Sequence, residues 1–116
     1  MSSRGNLLNT EYTHETIATG KGSPHVIGYI GNGSSSEDVS KLRYLVGETQ
    51  MIWTPGINLD GGPGELGQRY GNPRDSIMSG ADIIIVGSGI HNAENRATAA
   101  KLYAEASWNA LLERGQ

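Results

Sequence analysis

The chain has 116 residues, enough for one small domain at most or for part of a larger one. Its formal net charge of −3, with no basic face, argues against nucleic acid as a partner. Cysteine is absent, which excludes disulfides and thiolate metal sites and is typical of a reducing cytoplasm. The longest apolar run, IIIV, is too short to span a bilayer, so the expected class is a cytoplasmic α/β chain without a membrane segment.

The predicted elements alternate between strands and helices after a polar start. In chain order they are a weak helix over residues 11–19, a strand over 25–30, a helix over 36–46 that stops at Gly47, a strand over 50–54, a short helix over 74–79 after Pro73, a strand over 82–86 and a long helix over 93–114. The long helix carries a predicted apolar face made of Ala99, Leu102, Tyr103, Ala106 and Ala110.

The predicted strands share two properties. Each lacks clean polar/apolar alternation, which predicts burial on both faces, as in parallel strands covered by helices. Each is also followed by glycine, and their alternation with helices favours a parallel sheet with right-handed crossovers. Residues 56–70, rich in Gly and Pro, are too long for an ordinary connection, and such loops in compact α/β units are usually functional.

Two folds compete for the last strand and its turn, Gly87-Ser88-Gly89. In a doubly wound sheet this turn would bind a dinucleotide, but Asn92 occupies the third glycine position and the strand comes last rather than first. In a (β/α)₈ barrel, the phosphate site is built from the loops after the last two strands. Here those strands are followed by the long Gly-rich loop and by the Gly-Ser-Gly turn, so position as well as composition favours the barrel.

Neutral hydrogen-bond donors close the long loop. Gln68 and Tyr70 are two residues apart, so an extended backbone would point their amide and phenol the same way, and both groups suit phosphate oxygens. From spacing alone, a loop-anchoring Gln and a half-buried Tyr explain these residues better. Gly87 fits a plain strand-to-helix turn equally well, and Pro55 lies in a Thr-Pro-Gly corner that is expected to be structural.

The chain lacks a recognisable reaction centre. Its three histidines lie in different segments without metal-ligand spacing. The carboxylates form no recognisable acid–base pair, and no lysine lies at the end of a predicted strand. The residues therefore predict binding features without catalytic groups and without a metal.

Several segments in fixed order resemble the C-terminal half of orotidine 5′-phosphate decarboxylase of the eukaryotic type, including the domain fused into uridine monophosphate synthase. They read MSSRGNLLNTEYT, HVIGYI, WTPGINLDGGPGELGQRYGNP and SGADIIIVGSGI. The resemblance implies one partial domain over residues 1–116, α/β in class, that forms about strands 5–8 of a TIM (β/α)₈ barrel. It also implies decarboxylation of orotidine monophosphate to UMP, in pyrimidine biosynthesis, without a cofactor.

The resemblance also implies roles for individual residues. Ser2 matches a serine that hydrogen-bonds the pyrimidine edge, and Pro55 lies in the corner that packs near the base. Gln68 and Tyr70 match the amide and phenol that grip the 5′-phosphate. Gly87 matches a backbone N–H donor to the same phosphate.

Two departures from the family distinguish this chain. The family's catalytic lysines and aspartates lie in the half of the barrel that is missing, since Met1 aligns with an internal position. Ser88 stands where the family usually carries a phosphate-binding arginine. We therefore expect a fragment, a split product or a truncated gene model, inactive alone, that forms a homodimer or is complemented by an N-terminal half barrel. The alternative is a non-catalytic phosphate-binding module or pseudoenzyme.

Overall fold

A computed structural model describes residues 10–60 and 70–115 of the protein. The elements in chain order are α1 (Thr10–Lys21), β1 (Gly28–Ile30), α2 (Ser36–Val46), β2 (Met51–Thr54), α3 (Pro73–Ser79), β3 (Ile83–Ile84), α4 (Ser88–His91) and α5 (Arg96–Arg114). The strands form one parallel sheet in the order β1-β2-β3. The predicted α/β class with parallel strands is confirmed.

Local signals set the ends of the middle helices. The Ser35 hydroxyl caps α2 by accepting a hydrogen bond from the Asp38 N–H, and α2 ends at Gly47, whose φ of 82° suits glycine. The Asn72 side chain caps α3 in the same way, with Pro73 in the first turn. The predicted bounds of these helices are therefore nearly those observed.

The long C-terminal helix differs from its prediction. The predicted helix over 93–114 begins at Arg96, because the Asn95 side chain accepts a hydrogen bond from the Thr98 N–H and caps α5 there. A separate short helix, α4, precedes it. On the predicted apolar face, Tyr103 and Ala110 are buried, whereas Leu102 is 48% exposed, so its prediction as a core residue is wrong.

The core lies on one face of the sheet. Tyr29 and Ile52 are register partners, so their side chains share this face. The helices α1, α2, α3 and α5 supply the side chains that pack with them: Ile17, Val39, Leu42, Val46, Ile77 and Ala110. Burial of this kind contributes about 25 cal/mol for each Å² of apolar surface removed from water.

The other face of the sheet is largely uncovered by the described residues. Ile30, Trp53 and Ile83 are register partners across β1, β2 and β3, so they form one row on this face. Ile30 is 44% exposed, and the other two are only partly buried. The predicted burial of the strands on both faces is therefore wrong, because the core helices of the described part pack against the opposite face.

A network of charged side chains joins the elements at the amino-terminal edge of the sheet. Asp82, just before β3, accepts hydrogen bonds from the Ile52 N–H (2.9 Å) and from the guanidinium of Arg43. Arg114 approaches the other carboxylate oxygen at 3.4 Å. Arg43 also donates to carbonyl oxygens of Gly80 and Gln50, so the network joins α2, β2, α5 and the turn after α3.

An exposed ion pair joins α3 to α5. Arg74 donates hydrogen bonds to both carboxylate oxygens of Glu113. These hydrogen bonds, together with the guanidinium charge, hold the pKa of Glu113 below its ordinary value. The ionised pair therefore stabilises the fold above the ordinary glutamate pKa, and this contribution is lost as the pH falls through the lowered value.

Glu113→Gln is accordingly expected to lower stability at neutral pH and to match the parent chain at low pH. Urea unfolding at several pH values measures the difference. Glu94→Gln, an exposed carboxylate outside the α3–α5 contact, is the control. A difference between Glu113→Gln and the parent chain that stays constant with pH would contradict the assignment.

Candidate functional site

The loops after β1 and β2 meet at the carboxyl ends of the strands, backbone against backbone. A Cβ atom at Gly33 would lie 2.8 Å from Cδ1 of Ile57 and would collide with the carbonyl oxygen of Pro55. A Cβ at Gly71 would collide with the carbonyl oxygen of Gly33. Glycine is required at both positions by this close approach. Pro55 is half-buried within this contact.

The base of the long loop is closed by backbone hydrogen bonds. The Gly71 N–H donates to the carbonyl of Gly56 at 2.9 Å, and the Asn58 N–H donates to the carbonyl of Gly71 at 2.9 Å. Gly71 also forms a parallel bridge with Ile57, which is only 3% exposed. These bonds fix the backbone beside Tyr70, which is half-buried. Gln68 lies outside the described residues, as does Ser2 at the start of the chain.

The turn after β3 presents backbone donors that are not paired within the described part of the chain. Gly87 and Ser88 are both exposed. The carbonyl of Gly87 accepts hydrogen bonds from Ile90 and His91, so α4 begins there. The N–H groups of Gly87, Ser88 and Gly89 donate to no residue that the structure describes. Unpaired N–H groups at a chain turn can donate hydrogen bonds to a bound anion.

One phenol links the long loop to this turn. The Leu59 N–H donates a hydrogen bond to the Tyr103 hydroxyl at 3.0 Å. A Cβ at Gly89 would collide with the same hydroxyl and would lie 2.9 Å from Cζ. The sequence predicted Tyr103 only as a core residue of the long helix. The signal that could have marked it is a phenol on a face otherwise made of Ala and Leu.

The described residues at this edge offer hydrogen-bond donors for an anion. Within residues 10–60 and 70–115, no three His, Asp or Glu side chains lie close enough together to hold a metal ion. Lysine is absent from the loops that follow the described strands. The geometry therefore supports binding of an anion such as phosphate at the carboxyl edge.

Comparison of the sequence with known proteins shows the family of this chain. The sequence model of the orotidine 5′-phosphate decarboxylase / HUMPS family matches residues 1–103. An orotidine 5′-phosphate decarboxylase of Passalora fulva is 35% identical over 98% of this chain and 41% of its own length. A uridine 5′-monophosphate synthase of Bos taurus is 39% identical over 98% of this chain and 22% of its own length. The chain thus spans less than half of the curated relatives it matches.

Solved structures agree with the sequence comparison. The crystal structure of orotidine 5′-phosphate decarboxylase from Pyrococcus horikoshii superposes with a TM-score of 0.69 at 30% identity, over 92% of this chain and 47% of that one. The Lactobacillus acidophilus enzyme, at 21% identity and a TM-score of 0.61, supports the fold alone. Within the described part, no helix has the length and apolarity to cross a membrane. The chain belongs to the orotidine 5′-phosphate decarboxylase / HUMPS family.

Proposed function

We propose that this chain is the C-terminal, phosphate-binding part of an orotidine 5′-phosphate decarboxylase. The observation that carries the proposal is the meeting of the long loop and the Gly87-Ser88-Gly89 turn over Tyr103. In a (β/α)₈ barrel, the loops after the last two strands build the phosphate site. Here β2 and β3 precede these loops, so they are strands 7 and 8 of the proposed barrel.

The proposed ligand is a pyrimidine nucleotide, orotidine monophosphate or UMP. Tyr70 and Gln68 donate to its phosphate, and the Gly87 N–H, which pairs with no described residue, donates to the same group. Pro55 packs near the base, and Ser2 hydrogen-bonds its edge. The fixed loop base beside Tyr70 supports this arrangement, because a pre-ordered donor loses less conformational entropy on binding.

Ser88 weakens the proposed site. Its position in the turn places a neutral side chain where the resemblance expects a guanidinium. A bidentate arginine–phosphate contact is charge-assisted, and hydrogen bonds to charged groups are worth about 1.5–3 kcal/mol. The site is therefore expected to bind phosphate by neutral donors, with lower affinity than an arginine-bearing relative.

The rest of the barrel is proposed to come from an N-terminal half barrel, as a separate chain or as a preceding segment. Its support is the uncovered row of Ile30, Trp53 and Ile83, together with the chain's coverage of 41% of the Passalora fulva relative. In a barrel, alternate side chains of each strand point to the interior, which is filled by side chains from the other strands. The catalytic lysines and aspartates are proposed to lie on that half.

Complementation tests this proposal. The purified chain is expected to show no decarboxylation of orotidine monophosphate. Mixing it with the segment of the Passalora fulva enzyme that lies outside their match is expected to give a complex with measurable turnover. Turnover by the chain alone would show that the chemistry does not depend on a missing half. Failure of any complex to form would contradict the half-barrel assignment.

A matched pair of variants locates the contact surface. Ile30→Lys places a charge on the uncovered face and is expected to abolish complex formation. Tyr44→Lys changes an apolar residue of α2 that is 87% exposed and lies outside this row, so it is expected to leave the complex intact. Both assemblies are compared by sedimentation, which also reports homodimers of the chain.

The second candidate is a non-catalytic phosphate-binding module. Ser88 and the absence of a lysine from the loops after the described strands favour it. UMP titration followed by the amide signals of Gly87 and Tyr70 separates the two. Binding by the chain, combined with no turnover in any complementation, would favour the module. Binding with restored turnover favours the decarboxylase.

A further inference from the structure

We propose that Tyr103 is a positioning residue that fixes the long loop and the Gly87-Ser88-Gly89 turn relative to each other. The inference rests on the proposed phosphate site, since both loops carry donors assigned to it. Tyr103 lies on α5 and is only 4% exposed, so it is not expected to touch the ligand. Its effect on binding therefore acts through the backbone that it holds.

The first contact holds the long loop. The Tyr103 hydroxyl accepts a hydrogen bond from the Leu59 N–H at 3.0 Å, across 44 residues of chain. The Leu59 side chain is 39% exposed. Before Leu59 in the chain, the loop is held by the hydrogen bonds that Gly56 and Asn58 make with Gly71. The phenol thus extends the fixed part of the loop toward residue 60.

The second contact holds the turn. A Cβ at Gly89 would collide with the Tyr103 hydroxyl, so the phenol packs directly against the backbone of the turn. Gly89 has no positive φ, so its glycine is explained by the phenol and not by backbone conformation. A Cβ at Gly87, in contrast, meets nothing within 4 Å. The glycines of the turn therefore differ in their surroundings: Gly89 packs against Tyr103, and Gly87 is open to a ligand.

An open groove lies beside the ring. Tyr103 lines a space of about 350 Å³ between β3 and α5, together with Ile84, Val86, Ile90 and Ser107. The hydroxyl itself is contacted by the Leu59 N–H and by the backbone of the turn. A phenylalanine would fill the same volume without holding Leu59.

Tyr103→Phe is the direct test, because it removes the hydroxyl and keeps the ring. One neutral hydrogen bond corresponds to about a three- to tenfold change in affinity. We expect the affinity for UMP, and for inorganic phosphate, to fall by about this factor.

Tyr29→Phe is the matched control. Its hydroxyl donates to the carbonyl of Ile17 at 3.0 Å, and the residue is 7% exposed, so it is an equally buried phenol in the core. Its hydroxyl joins β1 to α1 and makes no hydrogen bond to the described residues of either loop. We expect similar losses of stability in both variants, with UMP affinity unchanged in Tyr29→Phe. Equal affinities in the two variants would overturn the inference.

A second readout works without ligand. Amide chemical shifts of Leu59 and of Gly87 to Gly89 are expected to change together in Tyr103→Phe and to stay unchanged in Tyr29→Phe. Changes confined to Leu59 would show that the phenol does not couple the loops and would overturn the inference. A parent chain that fails to bind UMP contradicts the proposed function, and the amide shifts still decide the role of Tyr103.

Discussion

Ser88→Arg is expected to tighten binding of UMP and of inorganic phosphate by about ten- to a hundredfold. The gain is that of a charge-assisted contact worth about 1.5–3 kcal/mol, and each 1.4 kcal/mol is a factor of ten. Ser88 is exposed and the adjoining Gly87 is open, so the longer side chain can be accommodated. A cation in the first turn of α4 costs about 0.3–1 kcal/mol against the helix dipole, less than the expected gain.

Thr49→Arg is the control for added charge. Thr49 is exposed in the connection from α2 to β2, at the amino-terminal edge of the sheet. It raises the net charge equally and is expected to leave affinity within about twofold, since distant surface charges are screened by salt. Calorimetric titration at fixed ionic strength measures both variants. Equal gains in the two would mean that Ser88 is not beside the phosphate.

Asp82→Ala is expected to lower the free energy of unfolding by about 3 kcal/mol. Removing one partner of a buried ion pair costs about 3–5 kcal/mol, and the lower end applies because the Asp82 side chain is 28% exposed. The change leaves the Ile52 N–H without its acceptor and the guanidinium groups of Arg43 and Arg114 without the anion between them. Domains of this size are stable by only about 5–15 kcal/mol.

Asp82→Asn separates hydrogen bonding from charge. The amide oxygen can still accept from the Ile52 N–H, so an intermediate loss is expected. Glu113→Ala removes a carboxylate from the exposed ion pair with Arg74. It is expected to lower the free energy of unfolding less than either Asp82 variant, because exposed ion pairs contribute little to stability. Urea unfolding followed by circular dichroism measures all of them. A loss from Asp82→Ala no larger than that from Glu113→Ala would contradict the role assigned to this network.

The sequence predicted the parts of the fold that depend on neighbouring residues. β-branched runs followed by glycine located each strand, and Ser36 and Pro73 located the starts of two helices, because these signals act within one turn of chain. The order of strands and helices then favoured a parallel sheet, which the structure has. The Gly87-Ser88-Gly89 turn was also found from the sequence, because a turn after a buried strand is a local feature.

Only the tertiary structure decided the features that join distant residues. The exposure of Leu102 and of Ile30 depends on which surfaces other elements cover, and periodicity alone cannot supply that. The link from Tyr103 to Leu59 spans 44 residues, and the link from Arg43 to Asp82 spans 39. Gly89 reads in sequence as a generic turn residue. Its requirement became clear only with the phenol packed against it, since a steric need is set by the neighbour that fills the space.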